Sequence, residues 1–222
     1  MLKSNSSKLS AKERRRLETL TLFEKEARLQ GYNCIAGLDE AGRGPLAGPV
    51  VAAACIVPEG VFFSGIDDSK KLSAKERDRL FDQIKANTVY SIGIITSLEI
   101  DRINIYQATI KAMLSAVATL TQLPQLLLVD GMNLPHPSIT CQKIIQGDAK
   151  SQSIAAASIL AKVTRDRMMA EFDLQWPEYE FKQHKGYGTP KHLDAIAKHG
   201  PCAIHRMTFE PLKRSNQLEF CL

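Results

Sequence analysis

Residues 34–57, CIAGLDEAGRGPLAGPVVAAACIV, contain two apolar runs on either side of a turn rich in glycine and proline. The first run leads directly into Asp39, and the second, residues 50–57, is rich in valine and alanine. Short apolar runs bounded by turn residues are typical of β-strands. We therefore expect two strands that pair as an antiparallel hairpin, with Asp39 and Glu40 at the point where the first strand ends.

Helices are predicted on both sides of this hairpin. Ser10-Ala11-Lys12-Glu13 and Ser73-Ala74-Lys75-Glu76 each have the form of a capping box, which marks a helix N-terminus. The first should begin one amphipathic helix over about residues 10–30, and the second a helix that turns apolar residues inward. Further helices are expected at about residues 106–120, 151–172 and 191–199.

The remaining apolar segments predict strands at residues 89–96, 126–129 and 139–145. The segment LLLV at 126–129 is a continuous apolar run, which is typical of a strand that is buried on both faces. Because an early hairpin is followed by strands that helices separate, we expect a three-layer α/β domain with a mixed central sheet flanked by helices. Functional side chains should then lie at strand ends.

The composition narrows the class of protein. The chain has 222 residues, 44% of them hydrophobic and 24% charged, which suits one catalytic domain with short extensions. A formal charge of +5 favours polyanionic partners without identifying one. The five cysteines include no Cys-x-x-Cys pair, so they suggest neither a disulfide framework nor a zinc site and fit a reducing cytoplasm. With no signal peptide, membrane span or exposed apolar stripe in the sequence, we expect a soluble, cytoplasmic monomer.

Acidic residues stand at the ends of three predicted strands. Asp39 and Glu40 follow the first strand, Asp130 follows the buried strand, and Asp148 follows the strand at 139–145. Each alone is more often a turn residue or a helix cap, but carboxylates gathered at one sheet edge repel one another unless a cation binds there. Oxygen ligands without histidine or cysteine select Mg²⁺ or Mn²⁺. Two such cations can activate a water and stabilise the leaving oxygen of a phosphodiester.

The turn at residues 42–48, GRGPLAG, resembles a phosphate-binding loop only in part. It lacks the Gly-Lys-Ser/Thr ending and precedes a strand rather than a helix, so binding of a nucleotide cofactor is disfavoured. Its glycines can bring backbone amides close to a phosphate or a sugar hydroxyl, while a plain tight turn is the alternative. We expect the backbone to turn here, so that Asp39 and Glu40 face one site.

The run at residues 39–49, DEAGRGPLAGP, closely resembles the signature of bacterial ribonuclease HII. Further segments resemble motifs of that family, in the family's order, and the resemblance extends over about residues 34 to 214. These segments are DSKKLS at 68–73, VDG at 129–131, GD at 147–148, SIAAASILAKVTRD at 153–166 and HKGYGT at 184–189.

The resemblance implies a ribonuclease H-like three-layer fold for residues 34–214. Residues 1–33 would form an N-terminal helical extension and residues 215–222 a C-terminal tail. The related ribonuclease HIII carries a full substrate-binding domain before its core, and a 33-residue extension is too short for one. The resemblance also implies a divalent metal, Mn²⁺ or Mg²⁺, and a set of catalytic residues that bind it: Asp39, Glu40, Asp130 and Asp148.

By the same resemblance, Gly42, Arg43 and Gly44 would contact the 2′-hydroxyl and flanking phosphates at an RNA–DNA junction, and Tyr187 would stack on the neighbouring sugar. A tyrosine in such a loop can equally be a partly buried anchor. The histidines at 184, 192 and 205 are expected to be structural. Four basic side chains are candidate phosphate contacts, with a solvated surface as the alternative: Lys70, Lys71, Lys162 and Arg165.

The implied activity is endonucleolytic hydrolysis of the RNA strand of RNA–DNA hybrids, including single ribonucleotides embedded in duplex DNA, with 3′-hydroxyl and 5′-phosphate products. One alternative is another carboxylate–metal phosphodiesterase that acts on a different substrate. A second is a non-catalytic hybrid-binding module, which we would expect to lack one or more of the four carboxylates. All four are present.

Overall fold

The computed structural model describes residues 10–213. Five strands form one mixed sheet in the order β3-β2-β1-β4-β5. β2 pairs antiparallel with both β1 and β3, whereas β4 pairs parallel with both β1 and β5. The strands are β1 (Ile35–Ala41), β2 (Val50–Ile56), β3 (Val89–Ile95), β4 (Leu126–Asp130) and β5 (Thr140–Ile144). The predicted hairpin and the mixed sheet are confirmed.

Helices cover both faces of the sheet, which confirms the three-layer α/β prediction. α6 packs on β1 and β2 with α3 beside it, and α5 packs on the opposite face. No helix in residues 10–213 is both long enough and apolar enough to cross a membrane. The helices are α1 (Ala11–Leu20), α2 (Leu22–Leu29), α3 (Ala74–Asn87), α4 (Ser97–Ile103), α5 (Ile105–Ala118), α6 (Gln152–Gln175), α7 (Phe181–His184) and α8 (Pro190–His199).

Strand alternation divides the interior into two main cores. Leu38 and Leu127 face α5 and pack with Met113, while Ala53 faces α6 and packs with Leu160. All five side chains are fully buried. The prediction that residues 126–129 are buried on both faces is confirmed, since Leu127 and Val129 belong to the core under α5, whereas Leu126 and Leu128 belong to a smaller third cluster. The sheet is therefore held from both sides, and its strand ends are fixed in place.

The expected single helix over residues 10–30 is wrong, because the chain breaks at Thr21 into α1 and α2. The Thr21 hydroxyl donates to the carbonyl of Glu18 at 3.0 Å, a local bond that competes with the helical ladder. Both helices pack against the sheet-bearing part of the chain, α1 through Leu17 and α2 through Ala27. The boundary at residue 33 remains a prediction, and the tail at 215–222 lies outside the described residues.

Two short helices, α4 and α7, were not expected. The sequence does carry a signal for α4, since the side chain of Thr96 accepts from the amide of Glu99 at 3.4 Å, in the same Ser/Thr-x-x-Glu pattern as the predicted capping boxes. Ser73 and Glu76 form the complete reciprocal box at the start of α3. The expected separation of later strands by helices fails between β4 and β5, where residues 131–139 form none.

β1 crosses the start of α6 with almost no space between them. A Cβ atom added at Gly37 would lie 2.1 Å from the carbonyl carbon of Ser153 and 2.3 Å from the amide nitrogen of Ile154. These are backbone atoms of a buried helix, so they cannot move aside as a flexible side chain can. The absence of a side chain at Gly37 therefore sets how closely α6 approaches the strand that carries Asp39.

Replacing Gly37 with alanine should lower the free energy of unfolding by about 3 kcal/mol, because the added methyl group forces the helix away from the sheet. Urea denaturation of wild type and Gly37→Ala measures the loss. Gly44→Ala is the control, since a Cβ there would only approach Tyr187 Cε1 at 3.7 Å, an ordinary contact. Equal losses in the two variants would show that close packing is not the reason for the glycine.

Candidate active site

Two carboxylates meet at the edge of the sheet where β1 and β4 run parallel. The paired residues of these strands continue to Leu38 and Val129, and the next residues are Asp39 and Asp130. Residues at matching positions of neighbouring parallel strands project to the same face of the sheet. Asp39 is only 5% exposed, so its carboxyl group has lost most of its contact with water.

The route by which Glu40 joins this site differs from the expectation. β1 does not end at the acidic residues but continues to Ala41, with Asp39 paired to Ala53 and Glu40 to Ala52 of β2. The expected end of β1 at these residues is therefore wrong, although the charge of Glu40 acts on Asp39 and contributes to its raised pKa. Within a regular strand, neighbouring side chains alternate between faces. Glu40 nevertheless lies within electrostatic reach of Asp130.

The pKa values report an excess of negative charge. Burial, followed by the charges of Glu40 and Asp130, raises the pKa of Asp39 well above its usual range. Burial is also the main cause that raises the pKa of Glu40, and Asp130 adds to it while Arg43 opposes it. These groups have lost water, and the positive charge beside them does not bring their pKa values back to the usual range.

Asp148 belongs to the same cluster. It lies in the 3₁₀ turn Gly147–Ala149, which directly follows β5 and precedes α6. Asp130 Oδ1 accepts from the amide of Gly147 at 2.6 Å, and this bond ties the end of β4 to the turn. Burial, with the charges of Asp68 and Asp130, raises the pKa of Asp148. The structure thus brings together all four predicted carboxylates.

Lys70 lies within electrostatic reach of the cluster. Burial alone would lower the pKa of Lys70, but four carboxylates outweigh it and raise the pKa: Asp39, Asp68, Asp148 and Asp130. Asp68 was missed as a member of the site, although its motif was singled out in the sequence. Its Oδ1 accepts from the amide of Lys70 at 2.9 Å, which helps to hold the lysine backbone in place.

The donor chemistry of the cluster fits a hard divalent cation. Its ligands are carboxylate oxygens, and burial together with neighbouring carboxylates raises the pKa values of Asp39, Glu40 and Asp148. A bound cation would neutralise this charge. Among residues 10–213, no three acidic, histidine or cysteine side chains are already gathered tightly enough to hold a metal ion. The carboxylates would therefore have to close around a cation on binding it.

A pocket of about 270 Å³ opens beside the cluster. Glu40 lines it, and Lys70 connects it to the other carboxylates. Seven of the eight candidate substrate contacts also line this pocket: Gly42, Arg43, Gly44, Lys70, Lys162, Arg165 and Tyr187. Lys71 does not line it and instead lies 3.5 Å from Asp67 in an exposed ion pair. The pocket thus combines acidic, basic, aromatic and backbone groups.

The placement of Arg165 corrects one expectation. Arg165 is 1% exposed, and its guanidinium donates to the carbonyl oxygens of Pro49 at 3.0 Å and Ala47 at 3.1 Å. A Cβ at Gly42, where φ is +96°, would lie 2.1 Å from Arg165 Nε, so this loop packs directly on the arginine. Arg165 therefore supports the loop and is not a free phosphate contact. Lys162 lines the pocket while paired with Asp166 at 2.7 Å.

Arg206 holds the same loop from the other side, and no motif in the sequence pointed to it. It is fully buried and donates to the carbonyl oxygens of Gly42, Arg43 and Gly48 at 2.6 to 3.0 Å. Burial, with the charge of Arg165, lowers the pKa of Arg206 to about 9, which leaves the group cationic at neutral pH. Two buried guanidinium groups thus lie beneath the loop.

Tyr187 is held by a network of histidines. The residue is 48% exposed, and its carbonyl oxygen lies 2.9 Å from Nδ1 of His192, which must donate. His192 Nε2 then accepts from His205 Nε2 at 3.0 Å, and His205 Nδ1 accepts from the amide of Cys202 at 2.8 Å. This pattern requires both rings to be neutral, as suits the structural role expected of them.

The histidine network predicts a loss of stability in acid. Burial lowers the pKa of both His192 and His205 to about 4, whereas an unfolded chain titrates near 6.5. Between these values the unfolded state binds more protons, so the free energy of unfolding should fall as the pH drops from about 6.5 to 4. Urea denaturation at pH 7.5 and 5.0 measures this fall.

The variant His205→Gln should show a smaller fall, because one of the two groups is gone. The exposed His199→Gln is the control and should retain the wild-type fall. The comparison between variants is needed because the raised pKa of Asp39 changes stability in the opposite direction. An identical fall in wild type and His205→Gln would contradict the assigned network.

Comparisons with known proteins agree on one family. A family model described as Ribonuclease HII matches residues 36–212. A Ribonuclease HII of Chlamydia muridarum is 52% identical over 203 residues, covering 90% of this chain and 93% of the relative. A Ribonuclease HII of Bacillus cereus strain Q1 is 53% identical over 206 residues, covering 92% of this chain and 80% of the relative.

Solved structures show the same architecture. The ribonuclease H2 from Pyrococcus horikoshii OT3 aligns with a TM-score of 0.71 and 26% identity, over 83% of this chain and 98% of that one. Bst-RNase HIII in complex with Mn²⁺ aligns with a TM-score of 0.61 over 86% of this chain and 72% of that one, and at 16% identity it shows the shared fold alone. The chain belongs to the ribonuclease HII family, the metal-dependent endonucleases that cut RNA in RNA–DNA hybrids.

Proposed function

We propose that this member of the family cuts at single ribonucleotides embedded in duplex DNA as well as in longer RNA–DNA hybrids, and leaves 3′-hydroxyl and 5′-phosphate ends. The observation that carries the proposal is the position of the carboxylate cluster. It lies at the ends of β1 and β4, next to a pocket lined by backbone, basic and aromatic groups that suit one nucleotide and its flanking phosphates.

We assign catalysis and metal binding to Asp39, Glu40, Asp130 and Asp148. The bound metal supplies an activated water and neutralises charge on the reacting phosphate. Asp130 is oriented by the amide of Gly147, and Asp39 is oriented by its own backbone, since its Oδ1 accepts from the amide of Glu40 at 2.7 Å. Mn²⁺ and Mg²⁺ both accept this set of oxygen ligands, so either is proposed as the cofactor.

We assign substrate binding to the loop at 42–44 and to Tyr187, Lys70 and Lys162. Tyr187 exposes its ring beside Gly44, so the aromatic face is available to stack on a sugar or base. Arg43 is half exposed and lies 3.4 Å from Glu40, between the acidic cluster and solvent. Its guanidinium can move to a phosphate when substrate binds, which would free Glu40 for the cation.

The protein is proposed to act as a cytoplasmic monomer. The cysteines of the described residues, Cys34, Cys55, Cys141 and Cys202, are all free, which suits a reducing compartment. Large exposed apolar side chains such as Leu29, Leu98 and Leu174 lie on three different helices. Both observations support the proposal, and a sedimentation mass near 24.6 kDa is expected.

The function is tested on a labelled DNA duplex that contains one ribonucleotide, with Mn²⁺, Mg²⁺ or chelator. Wild type should cut on the 5′ side of the ribonucleotide only with a divalent cation, and Asp130→Asn should cut about a thousandfold more slowly or not at all. Asp82→Asn, which changes an exposed carboxylate on α3, should cut like wild type.

Two further substrates separate the alternatives. Equal cutting of an all-DNA duplex would indicate another carboxylate–metal phosphodiesterase, and tight binding of the hybrid without incision would indicate a binding module. Either result would overturn the proposal, because the pocket is assigned to a nucleotide that carries a 2′-hydroxyl.

A further inference from the structure

Arg206 donates to three carbonyl groups of the loop at residues 42–48. Its Nη2 donates to the carbonyl of Gly42 at 2.6 Å, and its Nη1 donates to the carbonyl of Arg43 at 2.9 Å. Nε and Nη2 also donate to the carbonyl of Gly48, at 3.0 and 2.8 Å. One buried cation therefore fixes carbonyl groups at both ends of the loop.

These contacts determine where the next amides point. In a trans peptide the C=O group and the following N–H group point in opposite directions. The one cis peptide bond among residues 10–213 is Glu210-Pro211, so the peptides after Gly42 and Arg43 are trans. With these two carbonyls turned towards Arg206, the N–H groups of Arg43 and Gly44 must point away from it.

The two amides are also available for a ligand. Within the described part of the chain, neither the N–H of Arg43 nor that of Gly44 has a hydrogen-bond acceptor. Gly42, Arg43 and Gly44 line the pocket, whereas Arg206 lies behind them and does not. Successive N–H groups directed to one side form a concavity that binds an oxygen ligand.

Arg206 also holds the carbonyl of Gly48, and this contact leaves no backbone N–H group without an acceptor. The residue after Gly48 is Pro49, which has no N–H group, so turning the carbonyl of Gly48 inward leaves nothing to satisfy on the other side. The backbone of Arg206 is fixed as well, because its amide donates to the carbonyl of Leu46 at 2.8 Å. Its guanidinium also lies 5.0 Å from the ring centre of Phe209.

We propose that Arg206 is a positioning residue, which holds the carbonyls of Gly42 and Arg43 so that the amides of Arg43 and Gly44 face the 2′-hydroxyl of the substrate ribonucleotide. This inference rests on the function proposed for the loop. Arg206 touches no substrate itself and acts through the loop backbone. Lysine supplies the same charge but lacks the several N–H groups that the guanidinium holds in one plane. Arg206→Lys should therefore position the loop carbonyls only in part.

The test uses one assay with two duplexes of the same sequence, in the presence of Mn²⁺. Cleavage of a duplex with one ribonucleotide gives kcat/KM, and inhibition by an unlabelled all-DNA duplex gives Ki for a ligand that offers phosphates but no 2′-hydroxyl. Arg206→Gln should lower kcat/KM at least about tenfold, as expected for the loss of one or two hydrogen bonds, while Ki changes less than about twofold. Arg206→Lys should show an intermediate kcat/KM.

Arg16→Gln is the matched control. Arg16 also donates to a backbone carbonyl, that of Ile66 at 2.8 Å, but it does not line the pocket, so both constants should remain near wild type. If Arg206→Gln does not fold by thermal unfolding, Arg206→Lys carries the test. Parallel changes in kcat/KM and Ki, or no change in either, would overturn the inference. Wild type that cuts neither duplex would instead overturn the proposed function.

Discussion

The parallel pairing of β1 with β4 is the constraint on which the site depends, because it puts Asp39 beside Asp130 on one face of the sheet. Charges one strand spacing apart, about 5 Å, repel by roughly 3 kcal/mol at an effective dielectric of about 20. Burial of Asp39 adds a desolvation cost, and both effects raise its pKa. The carboxylates are therefore brought together by backbone pairing and packing, against their own repulsion.

The surrounding structure provides the opposing forces. Gly37 lets α6 pack directly on β1, and the amide of Gly147 holds Asp130 in place. Lys70 and Arg43 both supply positive charge to the cluster, yet Asp39 and Glu40 still carry raised pKa values. A divalent cation would neutralise the remaining negative charge. The repulsion that destabilises the fold and the metal binding proposed for catalysis therefore come from the same carboxylates.

Much of this arrangement could be predicted from the sequence, because strands, capping boxes and runs of alanine leave local patterns. The four predicted carboxylates and seven of the pocket residues were found because they stand at strand ends and within contiguous motifs. Arg206 was missed because it holds carbonyls of Gly42 and Arg43, more than 160 residues away in the chain. Any residue has a carbonyl group, so such a contact leaves no pattern in the sequence. The break at Thr21 and the continuation of β1 through Glu40 depend on single hydrogen bonds and on pairing with β2.

The central claim is that the buried carboxylates repel one another and that a bound cation relieves this repulsion. Urea denaturation of wild type and Asp39→Asn, once in chelator and once in Mn²⁺, tests it most directly. In chelator the variant should be more stable by about 1–3 kcal/mol, because one buried, repelled charge is gone. Mn²⁺ should then stabilise wild type more than the variant, since only wild type keeps the full set of ligands. A variant that is less stable in chelator, or equal stabilisation of both proteins by Mn²⁺, would contradict the account.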